Sequence, residues 1–335
     1  MRIHKLVSTI DTHTGGNPTR TVIGGAPALS ARTMSEKMLE MKAEHDWFRQ
    51  VLMFEPRGHS VMSGCVLTPP CHPEADLGVI FIETGGYLPM CGHDTIGLCT
   101  AAVETGLVNV TEPDTNITLD TPAGLVQVKV KVTNGRALGV TFANVPSFLH
   151  HRDVQICLPD GTPITVDVAY GGNYYIITEA EPLGVELTTA NASRLISLGV
   201  AIREATNSAV RIQHPVHPFI RGGTHVEFSG RPTHPEAHRK NVVIIPPGGI
   251  DRSPCGTGTA AKVAALHARG QLQVGEEFLH ESIVGSIFRA RALAETTEGG
   301  LPAVVPEITG QAWIMGFHQF VLDPHDELKS GFLLM

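Results

Sequence analysis

A chain of 335 residues, 42% hydrophobic and 17% charged, is long enough for two domains, since single cores stop growing at roughly 250 to 300 residues. A formal charge of −8 with 25 Lys and Arg leaves no clustered basic footprint for a nucleic acid, and no apolar run approaches the roughly 20 residues that cross a bilayer. Six cysteines spread over this length without a CxxC pair point to free thiols rather than a disulfide framework or a zinc site, so no metal is expected.

The opening MRIHKLVSTIDTHTGG reads as a strand and turn with no apolar signal core, and a cytoplasmic protein is expected. The stretch SEKMLEMKAEHDWFRQVL (35–52) predicts one amphipathic helix behind a Ser cap, with Met38, Leu39, Met41, Phe48, Val51 and Leu52 along its stripe. LGVIFIE, near residue 80, reads as a strand. Behind Cys91, GHDTIGLCTAAVETG spaces Ile96, Cys99, Ala102 and Val103 for a helix that stops at Gly106. QVKVKVTNGRALGVTF alternates on both sides of Asn134-Gly135, the strongest short-range hairpin signal. NVVIIP (241–246) suits a buried strand. Behind Cys255, the Ala-rich GTGTAAKVAALHARG predicts a second helix, apolar on most sides and ending at Gly270. Strands without regular βαβ alternation, plus one core helix in each half, predict an α+β chain of two similar lobes.

The two cysteines share a setting: PMCGHDTIG (89–97) and SPCGTGTAA (253–261) both read Cys-Gly-x-x-Thr at a helix start. Unpaired N–H groups and the positive end of the helix dipole favour a thiolate there, and the glycine lets a carboxylate approach the backbone. One such cysteine is compatible with a nucleophile, a redox thiol or an inert core residue. Two of them facing a planar carbanion would let one sulfur remove a proton while the other supplies one on the opposite face, inverting a stereocentre. N–H donors at the helix starts would hold the carboxylate that spreads the developing charge.

MCGHDTIG and DRSPCGTGTAAK, with IDTHTGGNPTR, FEPRGH, GGYLPMCGH, AAVETG, THPEA, NVVI, HESIVGSIF and ITGQAWIMGFHQF, resemble the signature segments of the proline racemase family, relatives of diaminopimelate epimerase that work without pyridoxal phosphate. The resemblance spans essentially the whole chain. It implies two pseudo-symmetric lobes, 1–140 plus 312–335 and 141–311, each a curved sheet wrapped round a central helix, with the active site in the cleft between them. It implies a proline-type cyclic imino acid as substrate, no cofactor, and compatibility with a homodimer. Carried over by position, Cys91 and Cys255 are the acid and base, Gly92, His93, Gly256 and Thr257 hold the substrate, and Asp251 receives its ring nitrogen. Taken alone, Asp251 would be a helix-entry turn residue and His93 a capping or surface histidine.

Relatives that dehydrate trans-3-hydroxyproline typically carry threonine at the second cysteine position, so Cys255 favours a racemase or 2-epimerase over such a lyase, or over a non-catalytic imino-acid binder. The family's proline racemases usually place a bulky aromatic where Ser63 stands, which leaves room and a hydroxyl for a substituted ring. Phe81 and Phe288 fall at the other two wall positions, where plain core packing explains them equally well. Asp94 replaces a small or neutral residue and is expected to point outward, since an inward carboxylate would oppose a thiolate at Cys91.

Overall fold

The structure, a computed structural model, describes residues 5–334, so the first four residues of the opening stretch lie outside the described residues. The chain divides into two compact units, one running to Phe142 and resuming at Gly310, the other Ala143–Thr309. The architecture is mixed α and β, with many strands and few helices, as the sparse helical signals predict.

In the first unit the strands pair in the order Ala312–Leu322, Lys5–Thr14, Asn17–Gly24, Ser63–Thr68, Leu77–Glu83, Asp114–Thr121, Gly124–Thr133 and Arg136–Ala143. All neighbours are antiparallel except the third with the fourth and the fifth with the sixth. In the second unit the order is Phe148–Cys157, Pro163–Tyr170, Tyr174–Glu179, His225–Gly230, Arg239–Ile245, Phe278–Glu281, Ile287–Glu298 and Leu301–Gly310, with parallel pairs at the same two places. Each parallel pair needs a crossover, and helices provide it. The first crossover is made by α1 (Met34–Glu44) and α2 (Asp46–Met53) in one unit and by α4 (Ala192–Ala209) in the other. The second is made by α3 (Gly92–Glu104) and by α5 (Gly256–Ala268), each entered from a three-residue strand, Gly86–Leu88 or Gly249–Asp251. The topology is therefore duplicated although the sequence shows no clear repeat.

The Asn134-Gly135 hairpin forms as read, with φ of 52° and 71° at the two turn residues, the left-handed pair a two-residue turn demands. The single helix expected over 35–52 is instead two. His45 leaves the helical region at φ −131°, ψ 20°, ending α1 and starting α2. The cap is Thr33 rather than Ser35: its hydroxyl accepts the Glu36 N–H while the Glu36 carboxylate accepts the Thr33 N–H. Leu39 drops out of the predicted stripe, 55% exposed, while Met38, Met41, Phe48, Val51 and Leu52 join a core with Val7, Val22 and Ile80. Burying each such side chain contributes about 1.5–3 kcal/mol. In the second unit α4 supplies Leu195 and Ile202 to an equivalent core with Val226, Phe228, Val242 and Ile244.

The helices that carry the cysteines are buried on nearly every side, as the small, mostly apolar residues of both predict. Close approach requires missing side chains. A Cβ on Gly97 of α3 would stand 2.6 Å from Thr12 Oγ1, and one on Gly171 would stand 2.2 Å from the Thr257 carbonyl oxygen of α5. No described helix is long and apolar enough to cross a membrane.

Candidate active site

Cys91 is the N-cap residue of α3, in extended conformation with φ −138° and ψ 116°, and is buried. Gly92 and His93 open the helix. The Cys91 Sγ lies 3.5 Å from His93 Nδ1, and His93 Nε2 lies 3.2 Å from Asp94 Oδ1 and 3.0 Å from Asn17 Nδ2. Nε2 can either accept from the Asn17 amide or donate to Asp94, and with its proton on Nε2 the ring leaves Nδ1 to accept from the thiol. The His93 carbonyl accepts from Thr14 Oγ1 at 2.8 Å, which ties the first turn to the opening strand.

Asp94 does not point outward. It is fully buried and accepts from Thr19 Oγ1 at 2.8 Å and Ser63 Oγ at 2.7 Å in addition to its contact with His93. Burial pushes its carboxyl up, but the His93 charge and the hydrogen bonds of His93, Ser63 and Cys91 prevail and hold it below the usual carboxylate range. The inward orientation costs nothing in unpaired charge because each oxygen has donors, and the thiol itself is one of the groups that hold the carboxyl down. Ser63 therefore spends its hydroxyl on Asp94. Of the other two residues read as pocket wall, Phe81 is buried opposite Cys65 and Leu88, and Phe288 is buried opposite His280.

Cys255 is the N-cap residue of α5, but its backbone is left-handed, φ 64° and ψ 110°, a conformation that costs a non-glycine residue about 1–3 kcal/mol and persists only where its surroundings over-determine it. They do so here. Its N–H donates to Ser253 Oγ at 3.0 Å, while the Ser253 N–H and hydroxyl both donate to Asp251 Oδ1 at 2.8 and 2.9 Å. The carbonyl of Pro254 accepts from Asn241 Nδ2 at 2.7 Å and Thr259 Oγ1 at 3.1 Å. The peptide bond before the Cys255 Cα is thus pinned at both its N–H and its carbonyl, the Cys255 carbonyl after it accepts the Thr259 N–H at 2.8 Å, and Asp251 is built into the turn that presents the sulfur.

The sulfur itself has a partner that sequence reasoning missed. Tyr175 OH lies 3.1 Å from Cys255 Sγ and 2.5 Å from Thr257 Oγ1, which is also 3.4 Å from Asn173 Nδ2. Gly258 leaves space for them, since a Cβ there would stand 3.0 Å from the Tyr175 ring and 3.2 Å from the sulfur. Tyr175 sits in the strand sequence YYIITE, where its alternation predicts only core packing; no motif marks it. The helix-start argument anticipates a lowered thiol pKa, and at Cys255 the balance is the reverse. Burial first, and then the Asp251 charge, push it well above its ordinary value, against the lowering effect of the Tyr175 hydrogen bond.

The donor atoms of Cys91, His93 and Asp94 lie within 4.8 Å of one another, the kind of grouping that can hold a cation, although the hydrogen bonds just described account for the same clustering. Thus Cys91, Gly92, His93 and Asp94 gather at one helix start, and Asp251, Cys255, Gly256 and Thr257 at the other.

The profile of the family described as proline racemase matches residues 9–333. The chain is 46% identical over 334 residues to a proline racemase of Clostridioides difficile and 47% identical over 334 residues to a 4-hydroxyproline 2-epimerase of Streptosporangium roseum, covering 100% of both chains in each case. A crystal structure of a hydroxyproline epimerase from Agrobacterium vitis, with bound trans-4-hydroxy-L-proline, superposes with a TM-score of 0.94 at 34% identity, over 100% of this chain and 96% of that one. The chain belongs to the proline racemase family and is an amino-acid racemase or epimerase, an isomerase.

Proposed function

We propose that this enzyme inverts the α-carbon of proline or a 4-hydroxyproline, with Cys91 and Cys255 as the paired acid and base and no cofactor in the step. The observation that carries the reading is the duplication. Two strand-and-helix topologies place one cysteine each at the same position, the N-cap of the buried crossover helix, with a hydrogen-bonding group against each sulfur. In this reading one thiolate takes the α-proton from one face of the ring while the other thiol delivers a proton to the opposite face. The substrate carboxylate is received by the N–H groups at the helix starts, at Gly92, His93, Gly256 and Thr257, and the ring ammonium by Asp251. The similarity to both a proline racemase and a 4-hydroxyproline epimerase supports a five-membered imino acid, and the short Ser63 side chain supports tolerance of a ring substituent. A cytoplasmic homodimer is the setting the reading assumes.

Cys91→Ser and Cys255→Ser, each checked for folding by circular dichroism, are expected to abolish inversion of both substrates in a polarimetric assay. In deuterated water the parent enzyme is expected to exchange the α-hydrogen. Near-full racemisation by either variant would refute the two-base reading, and a cyclic imine product without optical inversion would assign the chemistry to a lyase.

A further inference from the structure

The second unit holds a cavity of about 620 Å³ that Cys255 does not line. Its floor is Lys262, seven residues and so about two turns along α5 from that cysteine. The residue is only 5% exposed, yet its ammonium makes no hydrogen bond among the described residues. Its only ionic contact there is a long one, 3.8 Å to Glu179 Oε1, and that carboxylate is 48% exposed and also stands 3.7 Å from Arg239. A buried ammonium with three unspent donors is costly, and here it lies at the bottom of a space large enough for a ligand.

Three cations, Arg239, Lys262 and Arg269, and three carboxylates, Asp153, Asp167 and Glu179, line the space, so its formal charge is zero and what differs is how each group is spent. Arg269 is taken by Asp167 and Asp153, with contacts of 2.6 to 3.0 Å, which removes one cation and two carboxylates from the count of available groups. What remains is Lys262 and Arg239 sharing the single, loosely held Glu179. Ile164, Val166, Ile177, Leu183, Ala265 and Leu266 supply an apolar wall. The buried Glu227 carboxylate feels the Lys262 charge, but no hydrogen bond or close ion pair joins the two, so it does not consume the lysine's donors.

We propose that this cavity is a binding site for a small organic carboxylate, its anionic end bridging Lys262 and Arg239 in place of Glu179 and its hydrocarbon body against the apolar wall. The ligand is distinct from the imino acid of the reaction, because the other two carboxylates of the lining, Asp153 and Asp167, are held by Arg269 and are not offered to a ring ammonium. The geometry asks for a monoanion with several methylene groups.

Hexanoate is the probe, titrated into the full-length protein and followed by calorimetry and by thermal shift, with acetate and hexylammonium as controls. Saturable binding of hexanoate is expected, at least tenfold tighter than acetate and absent for hexylammonium. Lys262→Met, which keeps the stem and removes the charge, is expected to weaken it at least tenfold, and Arg239→Gln about threefold. Arg239 is exposed at the rim, so its variant keeps the test decisive if the buried lysine proves necessary for folding. No binding of hexanoate to the parent protein, binding unchanged in the variants, or equal binding of hexylammonium would overturn the assignment.

Discussion

The helix starts at Cys91 and Cys255 occupy the same place in a duplicated topology and are chemically unlike. At α3 the cysteine is in ordinary extended backbone and its sulfur faces an imidazole backed by a carboxylate that three side chains satisfy. At α5 the cysteine is held left-handed by a web of hydrogen bonds and its sulfur faces a phenol, with burial and Asp251 pushing the thiol pKa up. The two units differ in the same way at their buried acids. Asp94 has donors on both oxygens and stays ionised, whereas at Glu227 burial outweighs the Lys262 charge and the Asn241 amide and raises the pKa to about 8. Fold duplication thus fixes where each sulfur stands, and the neighbouring strands set how readily it gives up a proton. A thiol paired with an imidazole and a thiol held protonated are what a one-base, one-acid resting state requires.

The comparison can be broken by removing the groups that make the ends unequal. The largest effect is expected for Glu227→Gln. Because the folded pKa of Glu227 lies above its unfolded value, it favours the fold below that unfolded value, near 4.3, and the advantage is lost as pH rises through about 8. The stability of the variant relative to the parent should therefore improve by about 1.4 kcal/mol per pH unit across that window in urea unfolding, and a flat difference would mean the parent carboxylate is paired.

Next is Tyr175→Phe, which deletes the hydrogen bond that lowers the Cys255 pKa. It is expected to cost about a hundredfold in kcat/KM, about 2.7 kcal/mol, and to move the basic limb of the pH profile upward. A purely structural tyrosine would lower stability and leave that limb in place.

Asp94→Asn should destabilise the protein by about 2 kcal/mol at neutral pH, because an amide nitrogen then meets hydroxyl donors. The folded pKa of Asp94 lies below its unfolded value, so its contribution is complete above that unfolded value, near 3.9, and is lost as pH falls through the folded pKa. The gap between variant and parent should accordingly close in acid, and a gap that persists would place the cost in packing. The smallest change is Ser253→Ala, expected to cost about 1 kcal/mol in unfolding experiments by freeing the Cys255 N–H, with a larger loss of activity than of stability if the left-handed cysteine is what the turn exists to hold.

Local signals were read correctly where chemistry acts over a few residues. Asn134-Gly135 made its turn, the small-residue, mostly apolar runs behind both cysteines made buried helices, and Gly106 and Gly270 ended them with φ of 72° and 71°. The start of α1 has a local trace too, since the T-x-x-E box beginning at Thr33 marks a cap ahead of Ser35. Asp94 was misjudged because its donors, Thr19 and Ser63, come from strands 75 and 31 residues away in the chain, and a charge beside a helix start reads as exposed unless those partners are known.

The sequence by itself determined the family, the two Cys-Gly helix starts and the kind of reaction they allow, because those depend on residue types at fixed short spacing. Only the tertiary structure decided what stands against each sulfur. His93 and Asp94 bind groups from distant strands, and Tyr175 reaches Cys255 across 80 residues of chain. Proton affinity depends on burial and on neighbours within a few ångströms, and neither is fixed until the strands have paired.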